Sequence, residues 1–139
     1  MIHIHYMDTT NQKFWMSLDR HISVHEFNQK VLNKQGYVIF NNDVPVGILR
    51  YNLFWDNTPF CTMLCIEPSS QNKGFGKLLL LHWETEMKHK GFKMVMTSTQ
   101  IDESAIFFYE KMGYYGCGGI NIDIEPYTQP MEIIMIKAI

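Results

Sequence analysis

Cysteine is scarce in this chain. There are three, an odd number, and no two are spaced Cys-x-x-Cys, so a disulfide framework is not expected and reduced thiols are. Long hydrophobic runs are missing as well. Purely apolar stretches such as Leu78 to Leu81 are far too short to cross a bilayer. The first residues, Met1 to Tyr6, have neither the basic flank nor the apolar core of a signal peptide, and the expected location is the cytoplasm. There is little excess of either charge. A net charge of −2 with 19% charged residues gives no electrostatic reason to expect nucleic acid or a membrane surface as partner. Internal repeats, low-complexity tracts and linkers are also lacking, so the 139 residues read as one domain, 1–139, long enough to bury a real core. Aromatics (14%) and ten Met are plentiful; most should be core, and some can line an adaptable pocket.

The most informative stretch is 64–83. The apolar run Cys61 to Ile66 reads as a buried strand stopped by Pro68, followed by a polar loop and by Gly74 and Gly76 opening an apolar helix to about Lys90. Strand, glycine-bearing turn and helix start form an anion site. The first helical amides have no partners, the helix dipole is positive there, and glycine lets a phosphate approach the backbone. Spacing narrows the ligand. A P-loop would need glycine where Gln71 stands and Ser or Thr where Leu78 stands, and a dinucleotide fingerprint would need a small residue in place of Leu79.

Elsewhere the chain alternates elements. Residues 2 to 6 suit a strand, with His3 and His5 on one face and no third residue to make a metal site. Helices are expected from Thr10 to His21 and, behind a Ser23…Glu26 capping box, to about Lys34, with Gly36 as the C′ glycine. Tyr37–Phe40 and Val44–Tyr51 form a hairpin around Asn41-Asn42-Asp43. The segment Leu53–Phe60 reads as a wide turn, with Trp55 and Asp56 as candidate substrate contacts. Helix 74–90 carries Phe75, Leu79, Trp83 and Met87 as a stripe and ends at Gly91. A strand over Lys93–Thr97 and a helix over Asp102–Met112, closed by Gly113, come next. The alternation Ile120, Ile122, Ile124 against Asn121, Asp123, Glu125 predicts a strand that pairs, across a turn at Pro126 and Pro130, with Met131–Ile136. The order β-α-α-β-β-β-α-β-α-β-β is that of a mixed α/β (α+β) domain: a mainly antiparallel sheet of about seven strands, helices on both faces.

Three motifs in order carry a family resemblance. Gln71-Asn72-Lys73-Gly74-Phe75-Gly76 resembles the Gln/Arg-x-x-Gly-x-Gly/Ala signature of the GNAT superfamily of acyl-CoA-dependent N-acyltransferases. Leu64-Cys65-Ile66 resembles that family's fourth strand. Ser104 to Tyr114 resembles its small-x-x-Phe-Tyr-x-Lys-x-Gly-Phe/Tyr segment. The resemblance implies an N-acetyltransferase that takes acetyl-CoA as donor and a primary amine as acceptor, with no metal. It implies that Gln71, Asn72, Lys73, Gly74, Phe75, Gly76 and Lys77 hold the pyrophosphate. Leu64, Cys65 and Ile66 would accompany pantetheine and acyl carbonyl, and Tyr109 would reach the sulfur. Asp102 stands where many members have Asn; an ionised Asp accepts but cannot donate.

Acyl transfer needs a neutral amine, a donor for the developing oxyanion and an acid for the departing thiolate. The Leu64 amide suits the second role, and Tyr109, with phenol and thiol pKa values of about 10 and 8.5, the third. No base is assigned. The family position for one holds Phe60, and Glu67, Asp56 and Glu103 are the carboxylates nearest in sequence. Cys65 keeps a covalent route open beside direct attack in a ternary complex. Two other classes stay open: a non-catalytic acyl-CoA sensor on the same fold, and a nucleotide-phosphate enzyme using the same loop. The acceptor pocket is expected from residues 10–35, Phe54–Asp56 and the last hairpin, its aromatics suiting an apolar or cationic amine. A homodimer also stays open.

Overall fold

The computed structural model describes all residues, Met1–Ile139. One seven-stranded sheet runs through it in the order β1-β2-β3-β4-β5-β7-β6. The strands are β1 (Ile2–Tyr6), β2 (Gly36–Asn41), β3 (Val44–Phe54), β4 (Thr58–Ile66), β5 (Met94–Gln100), β6 (Tyr115–Ile120) and β7 (Glu132–Ala138). The helices are α1 (Gln12–Leu18), α2 (Val24–Asn33), α3 (Phe75–His89) and α4 (Ala105–Lys111). Every pairing is antiparallel except β4 with β5. No helix is long and apolar enough to cross a membrane.

Alternation along the strands splits the core into two layers. Tyr37, Ile39, Leu49 and Tyr51 face α3 and α4, joining the stripe Phe75, Leu79, Trp83 and Met87 with Tyr109 and Met135. Val38 and Ile48 point the other way and pack with Trp15 of α1 and Phe27 of α2. Helices therefore cover both faces, as the element order predicts. α2 begins at Ser23, whose hydroxyl accepts from the Glu26 amide at 3.1 Å.

Four local expectations need correction. α2 ends on Lys34 in the left-handed region (φ 54), not on Gly36. Gly36 lies in β2, where an added Cβ would meet Met7 Sδ at 2.3 Å, so its smallness serves packing. Leu53–Phe60 is no wide turn: β3 and β4 pair right up to Phe54↔Thr58, across a tight turn with Trp55 and Asp56 both at positive φ. The first helix is shorter than Thr10–His21, because it opens with a 3₁₀ turn at Thr9–Asn11 and stops at Asp19. The strand before the last lies at Tyr115–Ile120, ahead of the alternating 120–125 segment. Glycine-rich sequence hides such a strand from propensity. Its Gly119 passes so close to Met131 that a Cβ would sit 2.8 Å from the sulfur.

Candidate active site

The sheet opens in its middle. β4 and β5 pair only at Phe60↔Met96 and Cys61↔Thr97, although β4 runs on to Ile66 and β5 to Gln100. Beyond Cys61 the two strands diverge, leaving one edge of β4 unpaired. The Glu67 amide donates to Val46 O of β3 at 2.8 Å, and β3–β4 register holds from Gly47↔Ile66 to Arg50↔Met63. Antiparallel alternation then turns the Met63 and Cys65 amides to β3 and those of Leu64 and Ile66 into the gap. The Ile66 carbonyl, also on the gap side, accepts from Gln71 Nε2 at 3.0 Å.

Two clefts meet at this gap. One, of about 610 Å³, lies on the α3/α4 face and is lined by Leu64, Ile66, Gln71, Asn72, Gly74, Phe75, Gly76, Lys77 and Tyr109, with Ser70, Ser104, Ala105, Phe108, Lys111 and Met112. At its end stands the start of α3. Asn72 (φ 63) and Gly74 (φ 87) turn the chain into the helix, no side chain caps it, and its first turn holds no acidic residue. The first intrahelical bond there is Leu78 N–H to Gly74 O at 3.1 Å, which leaves the Phe75, Gly76 and Lys77 amides free, beside the cations of Lys77 and Lys111. A Cβ on Gly76 would meet nothing closer than Phe108 at 3.6 Å, so the missing side chain keeps the cleft open and is not needed for packing.

The second cleft, of about 300 Å³, reaches the other face. Leu64, Ala105 and Tyr109 line it too, together with Cys61, Thr62, Met63, Thr97, Ser98, Thr99, Gln100, His21, Glu103 and Glu132. Tyr109 is buried (7% exposed) where the clefts join. Burial pushes its phenol well above the ordinary value, the nearby Cys61 adds to the rise, and the neighbouring Thr97 hydroxyl, which itself donates to Cys61 O at 3.1 Å, opposes it. The phenol is thus a neutral hydrogen-bond donor throughout the physiological range.

Eight of the expected cofactor residues and Tyr109 come together. Five expected site residues do not line either cleft. Cys65 packs toward α1 and α2, Lys73 and Asp102 are exposed beside the first cleft, and Trp55 and Asp56 sit at the opposite end of β4, where the hairpin turn carries them away. Two of the cysteines are held as thiols: burial raises Cys61 to about 12, and burial and the Asp19 charge raise Cys65. Among the carboxylates considered as bases, Glu67 binds the hydroxyls of Ser69 and Ser70, which hold it below its ordinary value, and only Glu103 reaches the second cleft. Of the regions expected to form the acceptor pocket, residues 10–35 bring His21 and the last hairpin brings Glu132 to the second cleft, whereas Phe54–Asp56 does not reach it; Ser98 and Thr99 were not expected there, and the pairing of β5 with β7 sets Ser98 beside Glu132. No group of three or more His, Cys, Asp or Glu is placed to hold a metal.

Solved structures share this architecture. Arabidopsis thaliana Naa50 in complex with the bisubstrate analogue CoA-Ac-MVNAL superposes with a TM-score of 0.80 at 17% identity, covering 99% of both chains. The ribosomal-protein-S18-alanine N-acetyltransferase of Escherichia coli gives 0.80 at 18%, covering 100% of this chain and 94% of that one. The PaiA N-acetyltransferase of Thermoplasma acidophilum in complex with coenzyme A gives 0.74 at 18%, covering 100% and 99%. In sequence, the uncharacterised protein YxbD of Bacillus subtilis (strain 168) is 30% identical over 104 residues, 74% of this chain and 63% of that protein, so the match spans less than two thirds of the relative. The model of the acetyltransferase (GNAT) family matches residues 4–114, four-fifths of the sequence, and on that match the chain belongs to the GNAT family.

Proposed function

We propose that this chain is an N-acetyltransferase that moves an acetyl group from acetyl-CoA to a primary amine by direct attack in a ternary complex. The observation that carries the reading is the unpaired edge of β4, which lies between an uncapped helix start and Tyr109 at the junction of two clefts. When bound, acetyl-CoA supplies an acyl thioester. The free amides of Phe75, Gly76 and Lys77 suit its pyrophosphate, and the gap-facing backbone of Leu64 and Ile66 offers pantetheine the hydrogen bonds of a missing strand.

The Leu64 amide is the donor for the carbonyl oxygen, a role typically worth about 3 kcal/mol in the transition state. The amine enters from the smaller cleft and meets the carbonyl at the level of Leu64. Tyr109 donates a hydrogen bond to the departing sulfur. Because burial raises its pKa, stabilisation by this hydrogen bond is favoured over early full proton transfer. The protonated state of Cys61 and the orientation of Cys65 support direct attack over an acyl-cysteine.

The test is thiol release from acetyl-CoA across a panel of amines, with acetyl-CoA binding measured in parallel. Tyr109→Phe should bind acetyl-CoA as wild type does and turn over about 100-fold more slowly. Undiminished turnover would remove Tyr109 from the mechanism. Binding without thiol release for every amine would favour an acyl-CoA sensor.

A further inference from the structure

We infer that Tyr114, held by the buried Glu84–Lys137 pair, is a positioning residue that fixes the Tyr109 phenol where the two clefts join. The inference rests on the acetyl-transfer reading for what that phenol does. Tyr109 has open space on two sides, because both clefts border it. Two aromatic rings support it, each edge to face: Phe108 at 5.3 Å and Tyr114 at 5.5 Å between ring centroids. Phe108 is itself half-buried cleft wall, whereas Tyr114 is 2% exposed and lies in the core. Tyr114 is the firmer support.

Tyr114 is anchored at both ends. Its backbone N–H donates to Tyr109 O at 3.0 Å, across the turn that Gly113 makes at φ 97, so backbone and ring both return onto Tyr109. Its hydroxyl donates to Glu84 Oε2 of α3 at 2.8 Å, and Lys137 Nζ of β7 donates to Glu84 Oε1 at 2.7 Å. The same ammonium stands 5.7 Å from the Tyr114 ring centroid, and a Cβ on Gly113 would meet the Lys137 Cε at 3.3 Å. One carboxylate thus ties α3, β7 and the turn after α4 together.

Stability alone does not call for this arrangement. The side chains of Glu84 and Lys137 are 7% and 22% exposed, and drawing such a pair out of water is costly enough that apolar residues of like volume often serve a core as well. What charged, directional bonds add is a fixed place for the ring that they hold. Neither Tyr114 nor Glu84 nor Lys137 lines either cleft, so their effect on transfer passes through Tyr109. A reacting group displaced by about 1 Å can lose about 100-fold in rate.

The experiment is a double-mutant cycle on the full chain, with acetyl-CoA and the fastest amine of the panel. Tyr114→Phe and Tyr114→Leu are each made with Tyr109 present and in Tyr109→Phe. With Tyr109 present, kcat should fall about 10-fold in Tyr114→Leu and about 3-fold in Tyr114→Phe, while the KM for acetyl-CoA stays within about 2-fold. In Tyr109→Phe neither change should lower kcat further. Equal losses in both backgrounds would overturn the inference and make Tyr114 part of the scaffold, and so would an undiminished kcat in Tyr114→Phe. If Tyr114→Leu does not fold, Tyr114→Phe decides by the same criterion. If no amine releases thiol, or if Tyr109→Phe alone is as fast as wild type, it is the transfer reading that fails, and NMR of the tyrosine-labelled chain still decides here. Tyr109 ring flips that are faster in Tyr114→Phe sustain the inference, and unchanged flips overturn it.

Discussion

Tyr109 and Asp19 show how burial acts on single ionisable groups with opposite outcomes. Burial lifts the Tyr109 phenol, so it keeps its proton well into alkaline solution. With an alkylamine acceptor of pKa about 10.4, kcat/KM should climb with pH as the amine loses its proton, and no downturn from Tyr109 should interrupt the rise below about pH 10. A downturn in that range that vanishes in Tyr109→Phe would show a phenol left near its ordinary value. For Asp19, fully buried, burial alone would raise the pKa. Hydrogen bonds and charge from Arg50, the His21 amide and Trp15 Nε1 reverse this and hold the carboxyl below its ordinary value. A carboxyl lowered by folding stabilises the protein above its unfolded-state pKa, and that contribution is lost as the pH falls through the lowered folded value. Asp19→Asn should cost about 3–5 kcal/mol in urea unfolding, because it strands a guanidinium whose side chain is only 14% exposed, and should flatten the acid limb of stability against pH. A loss near zero would mean that water enters to serve Arg50. The partners are 31 residues apart, and no local pattern in the chain pairs them.

At the scale of elements, what could be read from the chain is what repeats or caps locally. The stripe of α3, the Ser23 cap and the positive-φ glycines 91 and 113 follow from spacing and backbone preference. What could not be read depends on tertiary neighbours. The strand Tyr115–Ile120 is half glycine, with an irregular register between Gly116 and Gly118, and Gly36 is small because of Met7, 29 positions earlier. The same distinction separates the two glycines of the α3 loop. Gly74 needs its left-handed backbone, whereas Gly76 is helical and has room for a methyl group. Gly76→Ala should therefore leave thermal stability unchanged or raise it, by up to about 1 kcal/mol. A larger side chain, as in Gly76→Leu, would reach past Phe108 into the cleft and should weaken acetyl-CoA binding, whereas Ala, which the signature admits at this position, should not. A loss of stability in Gly76→Ala without a loss of affinity in Gly76→Leu would reverse the assignment and make Gly76 a folding residue.

Across the whole molecule, the decisive feature is an incomplete sheet. Two helical layers clamp it from both faces, so the gap between β4 and β5 persists without backbone partners while every other neighbouring pair of strands is zipped along most of its length. The chain's motifs place Leu64 to Ile66 on a strand, but the divergence that frees their amides is a property of β5 turning to follow β7 for seven consecutive pairs. This gives a direct physical test. In free protein the Leu64 and Ile66 amides face the gap and should exchange hydrogen faster than those of Met63 and Cys65, which β3 holds in the same strand. Because the four residues share one strand, a difference in local unfolding cannot produce that alternation; only the side on which each amide lies can. Acetyl-CoA should then slow Leu64 and Ile66 selectively, by about 100-fold at a concentration 100 times its Kd if exchange proceeds through the free protein. Uniform protection of residues 63–66 before ligand is added would mean that the gap is closed in solution and that the donor must be held elsewhere.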